Sequence, residues 1–135
     1  EAGLQAYGAI LPVHVRAHQD DGLTRLEFSG GALYLARLDC AIGTALRVRI
    51  RAEDVMLARE EPMAISANNV LRANIQAVEQ IDATHSDVQL VCGTDRLVAR
   101  ITRASLTRLE LAPQMDIFAI VKSVTVDPQT GAGLS

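Results

Sequence analysis

Aromatic residues are nearly absent from this chain of 135 residues, which contains two Tyr, two Phe and no Trp. Hydrophobic residues still make up 49% of the sequence, so the core has to be built from Val, Leu, Ile and Ala. The scarcity of rings also removes the stacking platforms on which single-stranded nucleic acids bind. This length allows one ordinary domain or two very small ones.

The chain also lacks an excess of positive charge. Thirteen Lys and Arg residues against sixteen Asp and Glu residues give a formal net charge of -3. A clustered basic surface is needed to neutralise a phosphate backbone, so we expect no nucleic acid partner. No G-x-x-x-x-G-K-[ST] sequence occurs, so this chain has no P-loop for ATP and is not expected to be an enzyme by itself.

Long apolar runs and paired cysteines are missing as well. No run approaches the roughly 20 residues that cross a bilayer, and no secretory signal pattern opens the chain. Cys40 and Cys92 lie far apart without C-x-x-C or His spacing, so we expect reduced core thiols in a cytoplasmic protein. Glu1 in place of an initiator Met leads us to expect a fragment of a longer protein.

The sequence is rich in alternation with a period of two, which predicts half-buried β-strands and an all-β fold. Val13 and Val15, for example, flank the polar His14. Glycine-containing turns at residues 29–31 and 93–95 predict one hairpin in each half. The strands predicted on this basis are residues 13–17, 23–28, 33–38, 46–50, 74–78, 87–92, 97–101 and 117–126.

One insertion interrupts the strands of the second half. Thr102 can cap a short helix over residues 102–109, with Leu106 and Leu109 on one face. The first half has no room for such a helix between residues 38 and 42.

The order of hairpin, strand, corner and long final strand occurs twice, which indicates an internal duplication. The charged segment at residues 59–63 contains Pro62 and predicts a linker between the copies. Closing each copy as a small barrel removes exposed strand edges. We therefore predict two tandem β-barrels, residues 1–62 and 63–135, with the first a degenerate copy of the second.

Small hydrogen-bond donors mark the second half of the sequence. A tetrahedral dianion without a proton only accepts hydrogen bonds, so hydroxyl, amide, backbone N–H and ammonium groups suit it. Each group also has a plainer interpretation, because Thr-x-x-Ser usually caps a helix and a lone Lys in a strand usually lies in solvent. The candidate oxyanion-binding residues, none of them catalytic or a direct ligand of a metal cation, are Ser66, Asn68, Thr102, Ser105, Lys122 and Ser123.

Other polar groups are not expected to form a site of their own. His14 and His18 lie four residues apart on a strand, about 13 Å, which is too far for one metal ion. His85 has Asp82 and Ser86 nearby, but adjacent loop residues rarely meet in the geometry of a catalytic triad. We therefore expect neither a metal centre nor hydrolase activity.

Residues 66–126 resemble a Mop domain, the molybdate-binding form of the OB-like barrel called TOBE. That family's pattern opens with Ser-Ala-Arg-Asn, has Ile-Thr-x-x-Ser before a short helix, and ends in Ile-Lys-Ala or Ile-Lys-Ser. Upstream, residues 48–55 resemble the Ile-Arg-Pro-Glu-Asp-Val signature of barrels in the ATP-binding subunits of ABC importers. The matching segments of the second half are Ser66-Ala67-Asn68-Asn69, Ile101-Thr102-Arg103-Ala104-Ser105 and Val121-Lys122-Ser123.

The resemblance as a whole is to the C-terminal TOBE/Mop region, similar to a di-Mop domain, of a molybdate ABC importer's ATP-binding subunit. It implies tandem OB-like barrels that bind molybdate or tungstate, use no cofactor and regulate the importer. The implied partners are the nucleotide-binding domain, which this chain lacks, and through it the membrane permease. The implied location is cytoplasmic, at the inner face of the cytoplasmic membrane.

The same resemblance implies a homodimer, because in that family the two groups of ligands come from different subunits. Asn68 stands where the family usually has Arg, which leaves one positive charge fewer around the anion. A ligand-free structural dimerisation domain therefore stays an alternative, as does a free-standing molybdate storage protein. Arg72, Glu110 and Gln114 stand where the family often has glycine, which affects turns more than ligands.

Overall fold

The computed structural model of the protein describes residues 8–127, which form ten strands, one short α-helix and one 3-10 turn. The predicted all-β fold, with one short helix in the second half, is confirmed. No helix within these residues is long and apolar enough to cross a membrane. In chain order the elements are β1 (Ala9–His18), β2 (Leu23–Phe28), β3 (Gly31–Ala36), β4 (Ala45–Ile50), the 3-10 turn (Ala52–Asp54), β5 (Val55–Ala58), β6 (Asn69–Gln80), β7 (His85–Cys92), β8 (Asp95–Thr102), α1 (Arg103–Arg108), β9 (Asp116–Val121) and β10 (Thr125–Val126).

The strands form two five-stranded antiparallel sheets, in the orders β10-β4-β1-β2-β3 and β5-β9-β6-β7-β8. Alternation places one face of each strand in the core, as in β1, where Leu11, Val13 and Val15 are buried between exposed neighbours. The core of both halves consists of such aliphatic side chains, as the scarcity of aromatic residues requires.

The two sheets are copies of each other at the level of register. In the first, Val15 lies opposite Leu26, and a bulge follows in β1 before Ala17. In the second, Ile75 lies opposite Leu90, and a bulge follows in β6 at the corresponding place. The duplication predicted from the sequence is therefore present in the strand pairing.

Each half of the chain contributes one strand to the other half's sheet. Strand β5 follows the first sheet in sequence but pairs with β9 of the second. Strand β10 ends the described chain but pairs with β4 of the first. The predicted division into residues 1–62 and 63–135 assigns β5 to the first half and β10 to the second. In the structure each of these two strands belongs to the sheet of the other half.

The prediction of one continuous strand over residues 117–126 is wrong. Strand β9 ends at Val121, residues 122–124 are not in a strand, and β10 begins at Thr125 in the other sheet. Two exposed polar residues stand at the break, where the chain crosses from one sheet to the other. Lys122 and Ser123 therefore lie in a connection rather than in a strand, and the Lys122 N–H donates to the Asp54 carbonyl (2.8 Å).

The short helix α1 is built as the sequence predicts. The Thr102 side chain accepts from the Ser105 N–H at its start, and Leu106 packs against the core. At its end, Leu111 N–H donates to the Leu106 carbonyl and Glu110 N–H to the Thr107 carbonyl, which is a Schellman motif. This motif requires a left-handed residue, and Glu110 has φ of 56° there.

The hairpin turns of the two halves pack back to back. A Cβ at Gly30 would lie 2.5 Å from Cys92 Sγ, and one at Gly93 would overlap the backbone of Ser29. The Ser29 hydroxyl donates to Asp95 Oδ2 (2.6 Å) across this contact. Burial raises the pKa of the Cys92 thiol to about 11, so that thiol is neutral and structural.

Candidate oxyanion-binding site

A groove of about 900 Å³ lies between strand β3 of the first sheet and the segments that flank β6 and β9. Four of the six candidate residues line it, namely Ser66, Asn68, Lys122 and Ser123. The segment of residues 65–69 forms one wall, and residues 120–124 form another. Residues more than 50 positions apart in sequence are thus brought together where β9 leaves its sheet.

Among residues 8–127, Lys122 is the only charged residue that lines this groove, and it is also the only lysine of the sequence. Its side chain makes no ion pair within residues 8–127. No Asp or Glu of the described chain lines the groove. The groove therefore presents one positive charge with no carboxylate to neutralise it.

The backbone adds donors to the same groove. Within the described residues, the N–H groups of Ser66, Ala67, Asn68 and Ser123 donate no hydrogen bond to the protein. The N–H of Lys122 differs, because it is taken by the Asp54 carbonyl. Hydroxyls at two of these positions extend the set, so the groove is rich in donors, which is what an acceptor-only ligand needs.

Asn69 holds one wall of the groove in place, and the sequence did not single it out. Its side chain is buried, with 6% exposed. Its Oδ1 accepts from the Tyr34 N–H (2.7 Å) and its Nδ2 donates to the Tyr34 carbonyl (2.9 Å). The amide thus pairs with β3 as a neighbouring strand would. The available signal was its place as the fourth residue of the Ser-Ala-Asn-Asn match.

Thr102 and Ser105 do not line the groove. Thr102 Oγ1 accepts from the Ser105 N–H (3.1 Å) and donates to Ser105 Oγ (3.0 Å). Arg108 donates to the same Ser105 oxygen (3.3 Å). Within one chain these two side chains therefore cap α1, which is the plainer interpretation of Thr-x-x-Ser.

His18 and His85 form hydrogen bonds outside the groove. His18 Nε2 donates to the Cys40 carbonyl (2.6 Å), and its Nδ1 shares a hydrogen bond with Thr24 Oγ1 (2.9 Å). Asp82 accepts from the backbone N–H groups of Thr84 and His85, which hold the pKa of its carboxyl below the usual range. No group of three or more metal-ligating side chains occurs in the part of the chain that the structure describes.

Residues 65–128 match the family model for the TOBE domain. The chain is 40% identical over 129 residues to the molybdenum import ATP-binding protein ModC of Mesorhizobium japonicum, a match covering 94% of this chain and 35% of that protein. It is 37% identical over 120 residues to the protein of the same name from Paramagnetospirillum magneticum, covering 88% and 33%. The chain thus spans about a third of the length of these relatives.

Among solved structures, the fold is similar to that of the cytoplasmic molybdate-binding protein ModG in its molybdate-bound crystal form. The TM-score is 0.72 at 20% sequence identity, and the match covers 87% of this chain and 95% of that one. The tandem OB-like architecture is therefore shared. Residues 65–128 are thus a TOBE domain, and the chain is similar to the TOBE-containing third of molybdenum import ATP-binding proteins.

Proposed function

We propose that this chain is the regulatory domain of a molybdate importer's ATP-binding protein and binds molybdate or tungstate in the groove beside Lys122. The observation that carries the proposal is a single ammonium group among free N–H donors, with no ion pair to it and no carboxylate lining the groove among residues 8–127. A fully deprotonated tetrahedral oxyanion satisfies all of these donors and asks for no acceptor in return. The molybdate-bound relative of the same fold supports this choice of ligand.

The groove is rich in donors and therefore predicts selectivity by protonation state. Phosphate keeps at least one proton at neutral pH, and that proton needs an acceptor. Lining groups such as the Lys122 ammonium and the free backbone N–H groups are donors only, so phosphate should bind with an unsatisfied hydrogen bond that costs about 1–3 kcal/mol. Sulfate is an unprotonated dianion, so only its smaller size discriminates against it.

The binding site is completed in a homodimer under this proposal. Thr102 and Ser105 lie outside the groove of their own chain, so a second copy brings them to the anion. Met56 and Ile65, which are 48% and 46% exposed at the groove, provide apolar surface that the second copy covers. Binding across the interface lets the anion favour one arrangement of the attached ATPase subunits over another, provided its affinity for the two arrangements differs.

The full protein works in the cytoplasm at the inner face of the membrane, where the ATPase subunits meet the permease. Plentiful molybdate then biases the subunits toward an inactive arrangement. The share of the ModC relatives that this chain spans leaves room for a nucleotide-binding domain in the whole protein.

A ligand-free dimerisation domain is the second candidate, because one observation favours it. Asn68 gives the groove an amide where the family usually has a guanidinium, so Lys122 is the only cation of the described chain that lines it. A dianion held by one cation relies on neutral donors for the rest of its stabilisation.

Calorimetric titration with molybdate, tungstate, sulfate and phosphate separates the two candidates. We expect molybdate and tungstate to bind, and phosphate to bind at least about tenfold more weakly. Lys122→Ala should lose about 2–3 kcal/mol of molybdate affinity with the charge-assisted bond. Arg96→Ala, which removes an exposed cation outside the groove, is the matched control.

The possible results of these titrations lead to different conclusions. Binding by neither the parent protein nor Lys122→Ala favours the ligand-free domain. Equal molybdate affinity in both places the site elsewhere. Light scattering with molybdate present tests the dimer, and a monomer at high micromolar concentration would count against a shared site.

A further inference from the structure

The first half of the chain contains a position equivalent to Lys122. Ile50 lies opposite Ala9, the first residue of β1, and Val121 lies opposite Asn69, the first residue of β6. Because the two sheets share their register, the residues that follow Ile50 and Val121 leave their sheets at equivalent points. In both halves that residue is basic, Arg51 in the first and Lys122 in the second.

The surroundings of these two cations differ. The guanidinium of Arg51 forms a short ion pair with the Glu53 carboxylate, two residues farther along the chain. The Glu53 backbone N–H and then Arg51 hold the pKa of that carboxyl below its usual range, so it is charged at neutral pH. The second half has Val124 two residues after Lys122, and no carboxylate takes the corresponding place.

The space beside the two cations differs as well. Gly8 precedes β1 as Asn68 precedes β6, but Gly8 packs directly onto the chain that leaves the first sheet. A Cβ at Gly8 would lie 2.7 Å from Arg51 Cα and 2.8 Å from the Ala52 nitrogen. Ala52 is fully buried there, whereas Ser123 at the equivalent point is exposed to the groove.

We infer that the chain binds one oxyanion and not two, because the first half seals its equivalent site with its own backbone and supplies the negative charge from Glu53. The inference rests on the proposed function and adds its stoichiometry and its location to it. Glu53 is then a tethered carboxylate that occupies Arg51 permanently, so only the second half responds to the oxyanion concentration.

The experiment compares the two equivalent cations in the same protein. Isothermal titration with molybdate should give one anion per chain for the parent protein and for Arg51→Ala, with affinities within about twofold of each other. Lys122→Ala should weaken binding at least about tenfold. Both side chains are exposed, so neither change is expected to unfold the protein.

A second measurement uses the fact that Lys122 is the chain's only lysine. Reductive methylation with ¹³C-formaldehyde labels this one side chain besides the terminal amine, and its NMR signal should stop shifting at one equivalent of molybdate. A calorimetric stoichiometry of two, with the Lys122 signal complete at the first equivalent, would overturn the inference and leave the proposed function intact. Loss of binding in Arg51→Ala but not in Lys122→Ala would also overturn it. No binding at all would remove the proposed function and the inference together.

Discussion

The two halves of this molecule have the same strand order and the same bulged register, yet one is sealed where the other is open. In the first half Gly8 lets the entering chain lie against the departing one, and the 3-10 turn fills the remaining space. In the second half Asn68, at the position equivalent to Gly8, lines an open groove together with Lys122 and Ser123. A few residues at the point where chains leave a sheet thus decide between a packed corner and a binding surface, while the fold stays the same.

Replacing Gly8, the small residue just before β1, should have the largest effect on stability. Gly8→Ala places a methyl group against the backbone of Ile50 to Ala52 at a φ of 97°. Strain and overlap together should lower the free energy of unfolding by about 2–4 kcal/mol, measured by urea denaturation. Asn68→Ala, at the equivalent open position, should change it by less than about 0.5 kcal/mol. Equal effects at the two positions would mean that the halves do not differ in packing.

The two halves also differ in charge at a second set of equivalent positions. Asp87 lies opposite Arg100 in the second sheet, where the first has Leu23 opposite Ala36. The carboxylate of Asp87, whose side chain is 4% exposed, accepts two hydrogen bonds from Arg100 (2.8 and 3.0 Å) and thereby raises the pKa of Arg100.

Asp87→Asn leaves the guanidinium without its partner, so we expect a loss of about 2–3 kcal/mol in the free energy of unfolding. The double change Asp87→Leu with Arg100→Ala copies the first half and should lie within about 1 kcal/mol of the parent protein. Thermal unfolding of the three proteins completes the comparison. A double variant as unstable as Asp87→Asn would show that the second sheet needs the charges themselves.

The pair of hydrogen bonds between Asn69 and Tyr34 also has no counterpart in the first half, because the residue there that is equivalent to Asn69 is Ala9. Asn69→Ala removes both hydrogen bonds and leaves two backbone groups of Tyr34 unpaired, which should cost about 2 kcal/mol of stability. Under the proposed function it should also weaken molybdate binding, because the wall of residues 65–68 loses its support. Unchanged stability would indicate that water replaces the amide at no cost.

The smallest expected effect is a gain in stability at the end of α1, a helix that the described part of the first half lacks. Glu110 has a left-handed backbone, which costs a non-glycine residue about 1 kcal/mol. Glu110→Gly should therefore raise the free energy of unfolding by up to about 1 kcal/mol, read from the urea midpoint. The exposed ion pair with Arg59, at 3.9 Å, contributes too little to offset this gain. Glu79→Gly, within strand β6, is the control and should destabilise.

Sequence reasoning reached the local features because their causes are local. Alternation predicted segments that overlap β1 to β4 and β6 to β8, although it missed β5. Thr102 marked the start of α1 through a hydrogen bond three residues away. Of the three positions where the resembling family often has glycine, Glu110 and Gln114 have positive φ, whereas Arg72 lies within strand β6. Such signals act within a few residues, so they can be read from the chain itself.

The features that were missed depend on distant parts of the chain. The break after Val121 follows from β10 joining the other sheet, and Asn69 acts on Tyr34, which lies 35 residues away. For the candidate site, four of six residues meet in one groove, while Thr102 and Ser105 lie elsewhere in the same chain. A contact with a second chain would produce no periodic pattern in the sequence, so the complete set of hydrogen-bond donors around the anion stays a prediction.

The exchange of β5 and β10 determines what can be separated in this molecule. A cut between the copies, near residue 62, gives two fragments that each contain one strand of the other's sheet, so they should stay bound to each other after proteolysis. Expressed alone, either fragment exposes an unpaired edge and has a strand without a partner. We therefore expect that neither half folds after the other is deleted, and that only the two halves together can be transferred into another protein.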